Sequence, residues 1–201
     1  MPAPATPRPA AAVILSRRGG RHSDRALEVL LLKRSEESGF MPGVWVFPGG
    51  TRDAEDGEGE AGYRACALRE LGEEAGIELG GSDELVLYSR WITPEVVPRR
   101  FDTWFFLALA PAHSPPRPDG FETTDAAWFE PQAALDAHAA GELDLVFPTI
   151  KQLESLLPYR TSAEALEASR DREVEPIMPK VVGDRENHRI ILPGEPGYNE
   201  A

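Results

Sequence analysis

The feature that most constrains this chain is an acidic segment, Arg69 to Ile77, that follows the glycine pair Gly49 and Gly50. The apolar pattern predicts a helix from about residue 60 to residue 75, and Gly76 is typical of a helix C-terminus. Because positions i, i+3 and i+4 of a helix are neighbours, three carboxylates share one face: Glu70, Glu73 and Glu74. The opposite face is the predicted buried stripe: Ala61, Ala65, Leu68, Gly72 and Ala75.

Three carboxylates on one helix face repel one another, and each like-charge pair destabilises a helix by roughly a few tenths of a kcal/mol. A hard cation such as Mg²⁺ prefers carboxylate oxygens and keeps waters and substrate phosphate oxygens in its other positions. A solvated acidic face is the competing interpretation of the charge pattern. The turn from Phe47 to Gly50 favours a ligand site instead, because its glycines allow a close approach of the backbone.

The glycine pair, a spacer and the sequence RELGEEAGI from Arg69 to Ile77 resemble the Nudix box. The helical half of the box matches residue by residue. The spacer between Gly50 and Arg69 is about five residues longer than usual, and Ala61 stands where the box usually has a glutamate. Three spacer acids are candidates to replace that glutamate: Asp53, Glu55 and Asp56.

The segments around the box resemble the coenzyme A diphosphatase branch of the Nudix family, the peroxisomal type in a bacterial-like version. Residues 31–35, Gly43 and residues 47–50 keep the spacing of the additional motif of that branch, with Lys33 in place of a threonine and Gly39 in place of an arginine. Further similarity lies in residues 91–95, 98–103, 119–122 and 143–149. The similarity covers roughly residues 10 to 195.

The resemblance implies a hydrolase that uses Mg²⁺ or Mn²⁺ and cleaves a phosphoanhydride in a nucleoside diphosphate linked to another moiety. The expected substrate is coenzyme A or acyl-coenzyme A, which would give adenosine 3′,5′-bisphosphate and (acyl-)phosphopantetheine. ADP-ribose, a dinucleotide or a nucleoside triphosphate are alternative substrates. A non-catalytic module that senses a nucleotide, or an acidic scaffold protein, are alternatives of another class, but neither needs three metal-binding carboxylates.

The same resemblance assigns roles to residues of the box. Glu70 and Glu74 are expected to bind the first metal ion, Glu73 to bind or orient a second, and the carbonyl of Gly50 or Gly49 to add a ligand. Arg69 is expected to brace the acidic side chains. The general base is expected to lie outside the helix, and the candidate is Glu122. Candidate phosphate contacts are Arg34, Arg52, Arg99 and Arg100, and candidate aromatic contacts to a base are Phe40, Trp45 and Phe101.

The charge balance limits the partners of the chain. There are 34 acidic and 21 basic residues, which gives a net charge of −13 and argues against a nucleic acid or an anionic membrane as the main partner. A small nucleotide-type substrate is compatible with this charge, because a bound cation can reverse the local field. The single cysteine, Cys66, and the lack of an apolar run of roughly 20 residues predict a cytoplasmic protein. Oligomeric state is left open, with a homodimer as one option.

The predicted fold is α/β, a Nudix fold in which a mixed β-sheet lies between helices. We expect a disordered tail at residues 1–9, one domain at 10–195 with the box at about 49–77, a helical extension at about 131–170, and a loose C-terminus at 196–201. Strands are predicted at 12–16, 28–33, 44–47, 84–93, 100–110, 126–129, 174–178 and 190–192, and a hairpin loop at 17–25. Helices are predicted at 60–75, 131–140, 150–157 and 163–170.

Overall fold

The computed structural model describes residues 3–19, 27–183 and 188–200. The strands in these ranges are β1 (Arg8–Arg18), β2 (Leu27–Arg34), β3 (Trp45–Val46), β4 (Gly49–Thr51), β5 (Val86–Ile92), β6 (Phe101–Leu109), β7 (Thr123–Phe129), β8 (Pro176–Ile177), β9 (Lys180–Gly183) and β10 (His188–Ile191). The helices are α1 (Gly59–Ala75), α2 (Pro131–Ala139), α3 (Phe147–Leu156) and α4 (Ser162–Arg170).

The main sheet contains eight strands in the order β3-β2-β1-β6-β5-β8, with β4 paired to β1 and β7 paired to β2. The pairs β1–β6 and β5–β8 are parallel, whereas the other pairs are antiparallel. β9 and β10 form a separate two-stranded sheet. The sheet is therefore mixed, as the sequence predicts.

β1 lies at the centre of the sheet because its apolar run can be buried on both faces. Ala11, Val13 and Leu15 belong to the core that α1 covers, whereas Ala12 and Ile14 belong to the core on the other face. The three later helices cover that second core through buried residues that include Ala134, Leu153, Leu156, Ala165 and Leu166. Helices on both faces thus confirm the predicted α/β sandwich.

The buried face of α1 differs from the predicted stripe. Of the five predicted residues only Ala75 is buried, and Ala61 is exposed. The residues that α1 buries are Gly62, Cys66, Ala67, Leu71, Glu74 and Ala75. Small residues occur all around the first turns of α1, so apolarity alone fixes its rotation poorly. The actual rotation places Glu74 within the buried face instead of opposite it.

The N-terminal strand is longer than predicted. β1 begins at Arg8, inside the segment 1–9 predicted to be a disordered tail, because Arg8 pairs with Phe101 and Pro9 with Asp102 of β6. β1 also continues to Arg18, into the segment predicted to be a hairpin loop. Residues 20–25 of that loop lie outside the described residues, as do residues 1 and 2.

The C-terminal segment predicted to be loose contacts the rest of the chain. The hydroxyl of Tyr198 donates a hydrogen bond to the Met178 carbonyl at 2.8 Å. Lys180 Nζ donates one to the Tyr198 carbonyl at 2.8 Å and lies over the tyrosine ring. Residues 196–200 therefore pack against the β8–β9 region. None of the helices in the described part of the chain is long and apolar enough to cross a bilayer.

Candidate active site

The glycine pair of β4 lies directly against α1 and β1. A Cβ at position 49 would collide with the backbone of Ala11 and Ala12, and a Cβ at position 50 would collide with the Glu70 carboxylate. Gly49 and Gly50 are required here because any side chain would occupy space that the sheet or the carboxylate already fills. The turn and the acidic helix are therefore in contact.

Glu74 is the most deeply buried carboxylate of the site, with 3% of its surface exposed. Its Oε2 accepts a hydrogen bond of 2.8 Å from the backbone N–H of Gly49, and its backbone carbonyl accepts one of 3.0 Å from Thr123 Oγ1. Burial raises the pKa of the Glu74 carboxyl to about 8, against the effect of the Gly49 hydrogen bond, and the Glu70 and Glu122 carboxylates raise it further. The ionised form of Glu74 is thus poorly stabilised by the protein alone.

Glu70 lies one helical turn before Glu74 and is also largely buried. Burial raises the pKa of Glu70, while a hydrogen bond from Arg69 lowers it and the charges of Glu73 and Glu122 raise it. Two carboxylates with raised pKa values therefore lie side by side next to the glycine turn. A cation between them would favour the ionised form of both.

Arg69 lies among the acidic side chains and not toward solvent. Its Nε and Nη2 bind both oxygens of Asp56 at 3.0 and 2.9 Å. Its Nη1 donates to Glu70 and to Glu73 at 2.9 Å each, and Nη2 also donates to the Thr51 carbonyl at 3.1 Å. These contacts account for all five N–H donors of a guanidinium. Arg69 therefore positions carboxylates and has no N–H donor left for a substrate.

Asp56 is the spacer acid that reaches the box helix. Its side chain is nearly buried and also accepts a hydrogen bond of 2.8 Å from the Asp53 backbone. The hydrogen bonds from Arg69 lower the pKa of Asp56 against the effect of burial. Asp53 is mostly exposed and lies 3.8 Å from Arg69, and Glu55 is exposed. Of the three candidates, Asp56 is the one that accepts hydrogen bonds from Arg69.

Glu73 does not join the other two carboxylates. Its side chain is 62% exposed and pairs with Arg69 Nη1. Within the described ranges, no three metal-binding side chains are grouped closely enough to form a metal site by themselves. The expectation that all three carboxylates converge is therefore too broad, because the structure brings together only Glu70, Glu74 and the glycine turn.

The donor atoms of this group fit a hard divalent cation. They are the carboxylates of Glu70 and Glu74 and the carbonyl of Gly50, which are oxygen ligands of the kind that Mg²⁺ and Mn²⁺ bind. Glu74 provides the test of this fit. It is a buried carboxylate whose only hydrogen-bond donor among the described residues is the Gly49 N–H, so most of its acceptor capacity is available to a cation.

Glu122 lies at the mouth of the site on the loop between β6 and β7. The side chain of Asp119 accepts hydrogen bonds of 2.9 to 3.0 Å from the backbone N–H groups of Phe121, Glu122 and Thr123. Although burial opposes the change, these bonds lower the pKa of Asp119. The carboxylate of Glu122 is exposed and close enough to raise the pKa values of Glu70 and Glu74.

Arg34 connects the site to the loop between β2 and β3. Its charge lowers the pKa of Glu74, so it lies near the buried carboxylate. Its Nε donates to the Phe40 carbonyl at 3.1 Å and its Nη2 to Ser38 Oγ at 3.0 Å. The Ser35 backbone N–H also donates to the Glu122 carbonyl at 2.8 Å. Arg34, at the end of β2, and Glu122, on the adjacent loop, therefore lie at the same opening.

Of the other residues predicted to contact substrate, some lie near the opening of the site and Trp45 lies in the core. Arg99 is exposed and lies over the Phe40 ring at 5.1 Å, and the Phe40 and Phe101 rings are 5.7 Å apart. Arg52 lies over the Tyr63 ring at 5.1 Å. Trp45 packs edge-on against Phe129 at 5.4 Å as part of the second core.

Arg100 does not reach the site, contrary to the prediction. Its guanidinium is buried and donates to the carbonyls of Thr93 and Ala5 at 3.0 and 2.7 Å, with Met178 Sδ at 3.6 Å. These partners come from three separate segments of the chain. Arg100 therefore connects those segments instead of binding phosphate.

Three residues that support the site were not found from the sequence. Thr123 binds the backbone of Glu74, and Asp119 fixes the loop that carries Glu122. The thiol of Cys66 lies 3.6 Å from the Gly50 carbonyl, and burial raises its pKa to about 12. The position of Cys66 four residues before Glu70 could have placed it beside the carboxylates.

Comparisons with known proteins identify the family of this chain. The family model described as NUDIX domain matches residues 6–148. The chain is 30% identical to "Putative nudix hydrolase 7" of Caenorhabditis elegans, over 74% of this chain and 60% of that protein, and so spans less than two thirds of its length. It is 24% identical to acyl-coenzyme A diphosphatase NUDT19 of Xenopus laevis, over 86% of this chain and 72% of that protein.

Among solved structures, the crystal structure of a NUDIX hydrolase from Alicyclobacillus acidocaldarius is similar to this chain with a TM-score of 0.72. The two sequences are 27% identical, over 81% of this chain and 96% of that structure. The matched family model covers both the glycine turn and the acidic helix. On these grounds the chain belongs to the Nudix family.

Proposed function

We propose that this protein is a metal-dependent diphosphatase that hydrolyses a phosphoanhydride in coenzyme A or acyl-coenzyme A. The observation that carries the proposal is a pair of carboxylates held against the Gly49–Gly50 turn, that of Glu74 buried and that of Glu70 largely buried. Burying two neighbouring carboxylates is unfavourable without a cation. A purely structural acidic helix would expose them.

The residues at the site divide the work of hydrolysis. Glu70, Glu74 and the Gly50 carbonyl would hold Mg²⁺ or Mn²⁺, with Glu73 released from Arg69 as a further ligand. When bound, the metal ion neutralises phosphate charge and lowers the pKa of bound water. Arg69 and Asp56 keep the carboxylates in place.

Glu122 is the proposed general base. Its exposed carboxylate lies at the mouth, where it can accept a proton from the attacking water. The water oxygen forms a new bond to one phosphorus, and the bond from that phosphorus to the bridging oxygen breaks. The bridging oxygen leaves with the other phosphoryl group. Coenzyme A plus water thus gives adenosine 3′,5′-bisphosphate and 4′-phosphopantetheine.

Sequence similarity supports coenzyme A as the substrate in two ways. The segments around the box keep the spacing of the coenzyme A branch, and a relative over 86% of the chain is named as an acyl-coenzyme A diphosphatase. Arg34 and Arg99 lie at the opening and can contact phosphate groups. A cytoplasmic location, the absence of a nucleic-acid or membrane partner, and a homodimer stay predictions.

A substrate panel with the purified chain tests the proposal. Coenzyme A, acyl-coenzyme A, ADP-ribose, a dinucleotide and a nucleoside triphosphate are each incubated with Mg²⁺ or Mn²⁺, and products are identified by mass. We expect adenosine 3′,5′-bisphosphate as the main product, and loss of its formation on addition of EDTA. Faster cleavage of ADP-ribose would contradict coenzyme A as the substrate but would still support a hydrolase. No turnover of any nucleotide would favour the sensor.

A further inference from the structure

Three loops form the rim of the candidate active site. They are residues 35–44 between β2 and β3, residues 93–100 between β5 and β6, and residues 110–122 between β6 and β7. The first loop contacts the third through the Ser35–Glu122 hydrogen bond, and it contacts the second through Arg99, which lies over the Phe40 ring. The three loops therefore meet around one opening, with loop 35–44 in the middle.

Each rim loop carries one large apolar side chain that is exposed. Met41 is 44% exposed, Val96 is 69% exposed and Phe121 is 85% exposed. Phe121 immediately precedes the proposed base, Glu122. Elsewhere in the described part of the chain, Leu109 and Ile190 are the other large apolar residues with comparable exposure. Exposed apolar side chains on three loops that contact one another can together bind an apolar group.

The charges beside these residues limit what that apolar group can be attached to. Arg99 has no ion-pair partner among the residues that the structure describes, although the chain has a net charge of −13. Arg34 contributes a second positive charge near Glu74. A rim that combines guanidinium groups with apolar side chains is complementary to an amphiphilic anion, in which phosphate groups and an apolar chain belong to one molecule.

We propose that the rim residues Met41, Val96 and Phe121 hold the acyl chain of acyl-coenzyme A, so that the enzyme prefers fatty acyl esters to free coenzyme A. This inference rests on the proposed function. Met41 is unbranched and adaptable, which suits a flexible chain more than a flat ring. Phe40, whose ring could otherwise stack on a base, already contacts Arg99 and Phe101.

The test compares substrates that differ only in the acyl group. Values of kcat/KM are measured for coenzyme A, acetyl-coenzyme A and dodecanoyl-coenzyme A with the wild-type chain, with Phe121→Ser, and with Phe121→Ser combined with Met41→Ser. We expect the wild type to prefer the dodecanoyl ester to coenzyme A by about 10-fold, Phe121→Ser to reduce this ratio by about 5-fold, and the double variant to reduce it close to 1.

Leu109→Ser is the matched control. Leu109 is 47% exposed and lies at the other end of β6 from Phe101, twelve residues before Phe121, so its replacement should leave the ratio unchanged. Activity on free coenzyme A in each variant serves as the check on folding. A sedimentation experiment on the same proteins shows whether the apolar rim joins two copies of the chain.

The outcomes separate the inference from the function on which it rests. A wild-type enzyme that cleaves coenzyme A and its dodecanoyl ester equally well overturns the acyl site but leaves the diphosphatase intact. The same holds if Phe121→Ser and Leu109→Ser change the ratio alike, or if the rim variants convert a dimer into a monomer. An enzyme that cleaves neither coenzyme A nor its esters overturns the proposed function itself.

Discussion

The inner site and the rim of the opening differ in the burial of their side chains. In the inner site, Glu74 is buried, Gly49 and Gly50 have no room for a side chain, and Arg69 uses every donor it has. At the rim, Phe121 and its apolar neighbours on the other two loops are exposed. The inner site is thus held in place by packing, whereas the rim keeps its side chains available.

This difference indicates a division of roles within one opening. A group that holds a cation must be positioned closely, and a small displacement of a ligand has a large cost. A surface that selects among substrates works through contacts of about 1 kcal/mol each and tolerates variation. Substitutions in the inner site should therefore have large effects on rate, and substitutions at the rim should have small effects on substrate preference.

The largest effect is expected for the buried carboxylates. Glu70→Gln or Glu74→Gln should lower kcat/KM by about 10³-fold, because each removes a negative charge that would hold the cation. Glu73→Gln should lower it by only about 10-fold, since Glu73 is mostly exposed and contacts Arg69 alone among the site residues. Initial rates at saturating Mg²⁺, followed by product mass, measure the difference.

Glu154→Gln is the control for these variants. Glu154 lies on α3, is partly exposed and pairs with Lys151, so its replacement should not change the rate. If Glu74→Gln kept more than about a tenth of the wild-type rate, the inner site would not depend on its buried charge, and the contrast with the rim would fail.

The neighbouring residues Arg99 and Arg100 offer a second test, this time of stability. Arg100→Leu should lower the free energy of unfolding by about 2–3 kcal/mol, because it leaves the Thr93 and Ala5 carbonyls without their donors. Arg99→Leu should leave it unchanged, since Arg99 is exposed. Urea denaturation of both variants gives the comparison, and equal destabilisation would contradict the assignment of Arg100 to the interior.

These two arginines also show what the sequence could not predict. Residues 99 and 100 have the same chemistry, and only the start of β6 at Phe101 decides which of them enters the interior. The bounds of α1 were predicted to within one residue, and Gly76 ends it in the left-handed conformation with φ 63°. The buried face of α1 was predicted wrongly, because its small residues give little apolar contrast.

The acid that replaces the usual box glutamate could not be chosen from sequence spacing, but the contacts in the structure identify it. Sequence left Asp53, Glu55 and Asp56 as alternatives. The contact between Asp56 and Arg69 depends on how the long spacer turns back toward α1 through the short helical turn Ala54–Asp56. No pattern of residue types specifies that path, whereas the box motif itself could be recognised because its residues are consecutive on one helix.

Asp56→Ala should lower kcat by about 30-fold, because Arg69 loses the partner that orients it toward Glu70 and Glu73. Asp56→Asn should recover part of this loss, since one oxygen still accepts a hydrogen bond. Glu55→Ala is the control and should retain the wild-type rate, because Glu55 is exposed. A loss at Glu55 equal to that at Asp56 would mean that the contact between Asp56 and Arg69 is not what maintains the rate.

The smallest expected effect is an increase in the free energy of unfolding caused by Glu74→Gln, the substitution that also lowers activity. In protein freed of metal with EDTA, Glu74→Gln should raise the free energy of unfolding by about 1–2 kcal/mol at pH 8, because a buried amide costs less than a buried carboxylate. The sign follows from the raised pKa of Glu74, about 8, which exceeds that of the unfolded chain. Between pH 4.5 and pH 8, roughly, the folded chain keeps a proton on Glu74 that the unfolded chain has lost. The free energy of unfolding therefore falls as pH rises through this range.

The variant should accordingly match the wild type at about pH 4.5 and exceed it progressively up to about pH 8. Excess Mg²⁺ should remove the difference by stabilising the wild type alone. Urea denaturation at several pH values, with EDTA or with Mg²⁺, measures both effects. A constant difference across this pH range would show that Glu74 is not held as a costly buried charge. The inner site would then differ from the rim only in its depth.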